Sequence, residues 1–175
     1  RNEDFIYVCY DNEAYMNTGV QQSSATPCGA WTTTTPGGKE FAYQKKDLIG
    51  IVLGHHPAYL ATATVSFPED FYMKFNKARK AQGFRFLHLL AACPPGWKID
   101  SQDSLKVTRM AVDSGVFPLI EMDENGGLRQ TYAPDPPLPV KTYLLSQKRF
   151  KDLTDDEIAL IQSQAEKKGQ TYLPA

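Results

Sequence analysis

The segment at 11–19 carries the oxygen atoms best suited to binding a metal-bound ligand. It reads Asp-Asn-Glu-Ala-Tyr-Met-Asn-Thr-Gly and directly follows the apolar, β-rich run at 5–10. Open α/β sheets bind ligands just past the carboxyl ends of their strands. Asn12 offers an amide oxygen and a turned backbone offers carbonyl oxygens, and Mg²⁺ takes about six such oxygens, some of them from phosphates. On spacing alone, Asn and Gly after a strand more often form an ordinary turn.

A second candidate is Cys93, in the sequence Ala-Ala-Cys-Pro-Pro-Gly-Trp at 91–97. It follows another apolar run, at 84–92, which predicts a second buried strand. If the two strands are parallel, Asn12 and Cys93 lie at the same edge of the sheet. By itself, a cysteine of this kind is most often an inert, buried thiol.

The other cysteines and the histidines are expected to have structural roles. Cys9 alternates within the first strand and is predicted to be core, and Cys28 lies in a long polar loop. Three cysteines form no closed disulfide framework, and these lack zinc-site spacing. His55 and His56 are adjacent at a predicted helix end and so point apart, which favours a capping or packing role. His88 is predicted to be a hydrogen-bonded core residue.

Composition places the chain among ordinary globular proteins. It has 175 residues, 42% of them hydrophobic, and a formal net charge of −1. No basic block indicates nucleic acid binding, and the apolar runs are too short to cross a bilayer, so a cytoplasmic protein without membrane contact is expected. Because Arg1 almost immediately precedes a strand, we expect the sequence to be a fragment or processed piece.

The alternation of predicted elements favours an α/β fold with a mostly parallel sheet flanked by helices. The run at 5–10 predicts a strand buried on both faces. A loop from 11 to about 39 is long enough to be functional. The remaining predictions are a strand at 58–65, a hairpin at 117–122 and 128–132 around Glu-Asn-Gly-Gly, and helices at 47–55, 68–82, 101–114 and 155–167. Thr154 and Glu157 form a capping box before the last helix.

The segment 11–19, with Gln-Ser-Ser-Ala-Thr-Pro at 22–27 and residues 32–39, resembles the thiamine-binding segment of pyruvate:ferredoxin oxidoreductases, especially their separate β subunits. In this 2-oxoacid:ferredoxin oxidoreductase family, a Gly-Asp-Gly motif supplies a carboxylate to Mg²⁺, and a later motif supplies a side-chain oxygen and a carbonyl. The resemblance implies that Asn12 is the side-chain ligand and Ala14 the carbonyl ligand. It implies that the diphosphate is bound by Asn12, Glu13, Ala14, Tyr15, Met16 and Asn17. Asn17 would reach the reacting centre as the catalytic residue.

The stretches at 91–97 and 104–121 resemble the same family, and the likeness covers about residues 5–172. In that family a cysteine after a strand is the fourth ligand of a 4Fe-4S cluster, a role the resemblance implies for Cys93. The Gly-Asp-Gly motif and the family's amino-terminal cysteines are absent from this sequence. The chain alone is therefore expected to bind cofactor poorly. Gln22 and Cys28 depart from the family's usual residues and leave the substrate open.

The implied protein is part of an enzyme complex that oxidatively decarboxylates a small 2-oxoacid with thiamine diphosphate and Mg²⁺. Electrons would pass through the 4Fe-4S cluster to ferredoxin, and the other subunits and coenzyme A would be partners. Residues 1–150 would form the later part of the thiamine-diphosphate-binding domain, which lacks its amino-terminal part, and 151–175 a helical tail packing on the rest of the complex. Pyruvate is the default substrate, with other 2-oxoacids or oxalate as alternatives. A non-redox decarboxylase or carboligase and a non-catalytic interaction module are the rival interpretations.

Overall fold

The computed structural model describes residues 3–37, 44–123 and 125–171, and its strands join in one five-stranded sheet. The strands are β1 (Phe5–Asp11), β2 (Tyr59–Ala63), β3 (Phe84–Leu90), β4 (Leu119–Met122) and β5 (Leu128–Tyr132). The helices are α1 (Leu48–Leu53), α2 (Pro68–Lys80), α3 (Pro94–Trp97), α4 (Ser104–Asp113), α5 (Val140–Leu145) and α6 (Asp155–Thr171). Short 3-10 turns, Ser101–Asp103 and Lys148–Phe150, precede α4 and follow α5.

The sheet is parallel on one side and antiparallel on the other, in the order β1-β3-β2-β4-β5. Strand β3 is central to the parallel part and pairs with both β1 and β2. Strands β4 and β5 form the predicted hairpin, and β4 joins it antiparallel to β2. The predicted α/β architecture is therefore confirmed, with a mixed sheet.

Strand β1 lies at an edge of the sheet. Within the described residues it pairs with β3 alone, and Tyr7 and Tyr10 are 54% and 70% exposed. The prediction of a strand buried on both faces is wrong for β1, because an apolar run does not reveal whether a neighbour covers it. Cys9 is accordingly only half-buried. Strand β3, by contrast, is buried along most of its length, as predicted.

The main core cluster joins the sheet to the carboxyl-terminal helices. Trp97, Leu119 and Tyr143 are buried in it, and it takes in Ile158 and Ala165 of α6. Part of the predicted tail at 151–175 thus packs on the chain itself, through α6. Its packing on other chains stays a prediction.

Side chains fix the ends of several predicted elements. Asp47 caps α1 by accepting a hydrogen bond from the Gly50 amide (3.0 Å). The Thr154 amide donates to Glu157 Oε2 (2.7 Å) and the Glu157 amide to Thr154 Oγ1 (3.3 Å), which confirms the capping box.

Residues 38 and 39 of the predicted loop, residue 124 of the hairpin turn, and residues 1 and 172 lie outside the described ranges. No helix in those ranges is long and apolar enough to cross a membrane.

Candidate functional site

The carboxyl ends of β1 and β3 lie side by side, so the segments that follow them are neighbours. Asp11 is paired with Leu90, and the Ala91 amide donates to the Asp11 carbonyl (3.0 Å). Just beyond, the indole Nε1 of Trp97 donates to the carbonyl of Asn12 (2.9 Å). The predicted parallel pairing is confirmed, and it brings the segments around Asn12 and Cys93 together at the end of the sheet where β1 and β3 finish.

The six predicted diphosphate-binding residues form a tight loop, which we call the site loop (residues 12–17). Two backbone hydrogen bonds between Tyr15 and Gln21, of 3.0 and 3.2 Å, join its second half to the residues that follow it. Asn12 and Ala14 are half-buried, and Asn17 is exposed. Within the described ranges, neither asparagine uses its side-chain amide in a hydrogen bond. Both amides are therefore available to a ligand.

The site loop packs against the turn that begins at Cys93, which we call the Cys93 turn (residues 93–97). Gly96 is buried there, and a Cβ at this position would overlap Met16 Sδ and lie 2.7 Å from Met16 Cε. The same position is 3.6 Å from Cys93 Sγ. A glycine at 96 thus allows Met16 of the site loop to pack against the turn that carries Cys93.

Glu13 points into the protein. Its carboxylate contacts Lys45 Nζ (2.6 Å) and Arg149 Nη2 (2.7 Å), and its amide donates to Asp11 Oδ1 (2.8 Å). The residue has φ +72°, in the left-handed region that side-chain-bearing residues rarely adopt. Since the carboxylate is already paired, a contact between Glu13 and a ligand would involve its backbone.

Asp11 connects the site loop to the sheet. Its Oδ2 lies 2.8 Å from His88 Nε2 and 3.1 Å from Lys45 Nζ. In the described structure, His88 Nδ1 is buried without a hydrogen-bond partner. An ionised Asp11 only accepts hydrogen bonds, so His88 donates to it through Nε2. The prediction that His88 is a hydrogen-bonded core residue is confirmed.

This arrangement can be compared with known proteins. Residues 1–89 match the family model described as "Thiamine pyrophosphate enzyme, C-terminal TPP binding domain". The chain belongs to the thiamine pyrophosphate enzymes. The matched residues include β1, the site loop, β2 and nearly all of β3.

Curated relatives match almost the whole chain. It is 46% identical over 168 residues to ketoisovalerate oxidoreductase subunit VorB of Pyrococcus horikoshii, covering 93% of this chain and 53% of that protein. It is 44% identical over 171 residues to pyruvate synthase subunit PorB of Methanocaldococcus jannaschii, which covers 96% of this chain and 57% of that protein. PorB of Methanothermobacter marburgensis is 46% identical over 165 residues, which covers 93% of this chain and 57% of that protein.

The chain thus spans little more than half the length of the curated relatives it matches. The predicted resemblance to 2-oxoacid oxidoreductase β subunits is confirmed over most of its length. One solved structure is also similar, a 2-oxoglutarate:ferredoxin oxidoreductase from Magnetococcus marinus, at 28% identity and a TM-score of 0.46. It covers 51% of this chain and 30% of that one. The family assignment rests on the matched family model and is supported by the sequence relatives.

Opposite charges stabilise the ionised groups beneath the site loop of this thiamine pyrophosphate enzyme domain. Burial opposes ionisation of Glu13, but Lys45 and Arg149 outweigh it and lower the pKa of the carboxyl. Burial likewise opposes the charge on Asp11, and the hydrogen bond from His88 and the Lys45 ammonium still hold its pKa below the usual range. Burial disfavours the Lys45 ammonium, yet Glu13 and Asp11 raise its pKa. The groups therefore form a charged, mutually paired cluster.

Sequence reasoning missed the side chains that support the site loop from below. Arg149 Cζ stacks 4.0 Å from the Trp97 ring centroid, and its Nε donates to Gln147 Oε1 (2.9 Å). Trp97 ends the sequence motif at 91–97, but no pattern in the sequence indicates that its indole bonds to Asn12. Arg149 lies 136 positions beyond Glu13, and no local pattern links the two.

Cys93 precedes the short helix α3 and is a half-buried free thiol, as are Cys9 and Cys28. Within the described part of the chain, no group of three or more His, Cys, Asp or Glu side chains could hold a metal ion. The predicted magnesium ligands are not of those types, since they are an amide oxygen of Asn12 and a carbonyl of Ala14. His55 and His56 are exposed beyond α1 and distant in sequence from both motifs.

Proposed function

We propose that the chain is the thiamine-binding part of a 2-oxoacid:ferredoxin oxidoreductase and acts as one subunit within a complex. The observation that carries the proposal is the contact between the site loop and the Cys93 turn. The Trp97–Asn12 hydrogen bond and the packing of Met16 on Gly96 join the two segments. A cofactor-binding loop and an electron-accepting centre must be neighbours in such an enzyme.

The residues present fit a diphosphate bound through Mg²⁺. Asn12 has a side-chain amide that is unbonded within the described ranges, and Ala14 follows the strained residue in the same turn. Both would supply hard oxygens, as Mg²⁺ prefers, while the remaining ligands would come from the phosphates and from residues outside this chain. Thiamine diphosphate, when bound, supplies the electron sink for decarboxylation of a 2-oxoacid.

Asn17 is proposed to be the catalytic residue. It is exposed at the far end of the site loop, and its amide makes no hydrogen bond to another described residue. An amide N–H can donate to negative charge that develops as the reaction proceeds. Because an amide takes up no proton at neutral pH, Asn17 would orient and stabilise the reacting group without transferring a proton.

Cys93 is proposed to bind a 4Fe-4S cluster, with the other ligands supplied from outside the chain. The thiol is free and half-buried at the edge where the site loop lies, and cysteine thiolates are the usual ligands of such clusters. The cluster would accept the electrons of the oxidation and pass them to ferredoxin. Other subunits of the complex complete the proposed assembly, in the cytoplasm.

The proposed substrate class is a small 2-oxoacid. Relatives named for ketoisovalerate and for pyruvate are about equally similar to this chain, at 46% and 44–46% identity. The identities therefore do not separate these substrates. Pyruvate with coenzyme A is the first pair to assay, followed by branched and aromatic 2-oxoacids and oxalate.

Replacement of each cysteine in the full-length protein, assembled in its complex, tests the proposal. We expect Cys93→Ala to lose iron and ferredoxin reduction and to keep thiamine diphosphate binding, because the site loop follows a different strand. Cys9→Ala and Cys28→Ala are matched controls, since both are also free and half-buried, and they should keep full iron content.

Normal iron and normal electron transfer in Cys93→Ala would contradict the cluster assignment. The chain would then be better described as a non-redox thiamine enzyme in which Cys93 is a packed thiol. Failure of the wild-type complex to bind thiamine diphosphate would contradict the proposal as a whole.

A further inference from the structure

Resting on the proposed function, we infer that Arg149 is the positioning residue of the site loop. Through Glu13 and Trp97 it holds the loop in the conformation that presents the oxygens of Asn12 and Ala14. Within the described residues, the hydrogen bonds of its guanidinium go to Glu13 and Gln147 rather than to either proposed metal ligand, so it acts through Glu13 and Trp97.

The site loop needs such support because its backbone is strained between the two proposed ligands. Glu13 has φ +72° and separates Asn12 from Ala14. A side-chain-bearing residue stays in this region only when surrounding contacts fix it. The direction of the Ala14 carbonyl depends on the dihedral angles of this turn, so relaxation of Glu13 would turn the proposed metal oxygens apart.

Arg149 supplies contacts on both sides of that turn. Its Nη2 donates to Glu13 Oε2 (2.7 Å), and its guanidinium stacks on Trp97, whose Nε1 donates to the Asn12 carbonyl. The Arg149 side chain is only 2% exposed and is also bonded to Gln147 Oε1. A buried, doubly anchored guanidinium leaves Glu13 and Trp97 little freedom.

Lysine would not replace this arginine. A guanidinium is planar and can stack on an indole while donating in its own plane to a carboxylate, whereas an ammonium is a point charge without that geometry. Lys45 also contacts Glu13, but it is shared with Asp11 and is 25% exposed. Lys45 neutralises the charge of Glu13, while Arg149 adds the stacking contact to Trp97.

Hydrogen exchange in the full-length protein, assembled in its complex without cofactor, tests the inference directly. We expect Arg149→Met to speed amide exchange within residues 12–21 by about tenfold or more, because local opening no longer breaks the Glu13 contact. The exchange rate of Arg149→Lys should lie between the rates of Arg149→Met and the wild type. Thiamine diphosphate should bind Arg149→Met at least about tenfold more weakly, with kcat recovered at saturating cofactor.

Arg129→Met is the matched control. Arg129 also donates to a buried carboxylate, Glu121 (2.5 Å), but in the β4–β5 hairpin. It should leave both exchange in 12–21 and cofactor affinity as in the wild type. Equal loosening by both variants would mean that Arg149 merely stabilises the fold, and unchanged exchange in Arg149→Met would overturn the inference.

Two further outcomes remain informative. If Arg149→Met does not fold, Glu13→Gln and Arg149→Lys decide the matter by the same exchange measurement, and wild-type protection in both would overturn the inference. If the wild-type complex binds no thiamine diphosphate, the proposed function fails, and the exchange measurement still reports whether Arg149 holds the loop.

Discussion

Replacing Gly96 by alanine should separate the site loop from the Cys93 turn. The new Cβ would overlap Met16 Sδ and lie 2.7 Å from Cε, whereas such atoms ordinarily approach to about 3.5–4.0 Å. The end of Met16 must therefore retreat by about 1 Å or more. Because Sδ and Cε are the far end of a flexible side chain, the cost should be about 1 kcal/mol, the low end for overpacking, and the gain from replacing a helical glycine offsets about 0.5–1 kcal/mol of it.

We expect a net loss of less than about 1 kcal/mol in the free energy of unfolding of Gly96→Ala, together with weaker binding of thiamine diphosphate because Met16 lies in the site loop. Urea unfolding of the full-length subunit and a cofactor titration of the complex measure the two effects. The matched control is the Met16→Ala background, where the methyl group has room. There, Gly96→Ala should be neutral or slightly stabilising, and the two changes should show an interaction energy of about 1 kcal/mol. Additive effects of the two substitutions would refute the packing argument.

The other predictions concern the site and the distal hairpin. Asn12→Leu should abolish Mg²⁺-dependent thiamine diphosphate binding, at a cost of several kcal/mol, because an apolar group replaces one of about six metal oxygens. If this variant binds thiamine diphosphate as tightly as the wild type, the ligand assignment is wrong. Asn17→Ala should lower kcat by roughly 10²-fold with little change in cofactor affinity, and a raised KM at constant kcat would instead make it a binding residue. Burial opposes ionisation of Glu121, but hydrogen bonds from Lys77, Tyr59 and Arg129 lower its pKa from 4.5. The ionised Glu121 therefore stabilises the fold above about pH 4.5, and this stabilisation is lost as the pH falls. On acidification from about pH 5 to 3, the urea midpoint of Glu121→Gln should consequently fall less steeply than the urea midpoint of the wild type.

Much of the fold followed from local patterns in the sequence. The run at 84–92 is apolar apart from Arg85 and His88, and it became β3, the middle strand of the parallel part of the sheet. The capping box of Thr154 and Glu157 formed as its spacing predicts. Helix α5, however, lies directly after a proline-rich stretch and went unpredicted, because six residues show too little periodicity to stand out.

The support of the candidate site could not be predicted in the same way. Glu13 was assigned to the cofactor because it lies in the motif, but the structure turns its carboxylate inward. What directs it there is a pair of cations distant in the chain, Lys45 and Arg149. Tertiary pairing of this kind leaves no periodicity or spacing in a single sequence.

The two edges of the sheet differ in what they offer to another strand. Strand β5 ends one side with polar side chains, including Arg129 and Thr131, and such residues discourage further pairing. Strand β1 ends the other side with large apolar residues, among them Tyr7, Val8 and Tyr10, all substantially exposed. A strand of this type readily accepts backbone hydrogen bonds from another chain, including a copy of itself. In the described part of the chain, β1 is therefore the edge more open to a further strand, and a preparation of this segment alone is expected to self-associate through β1.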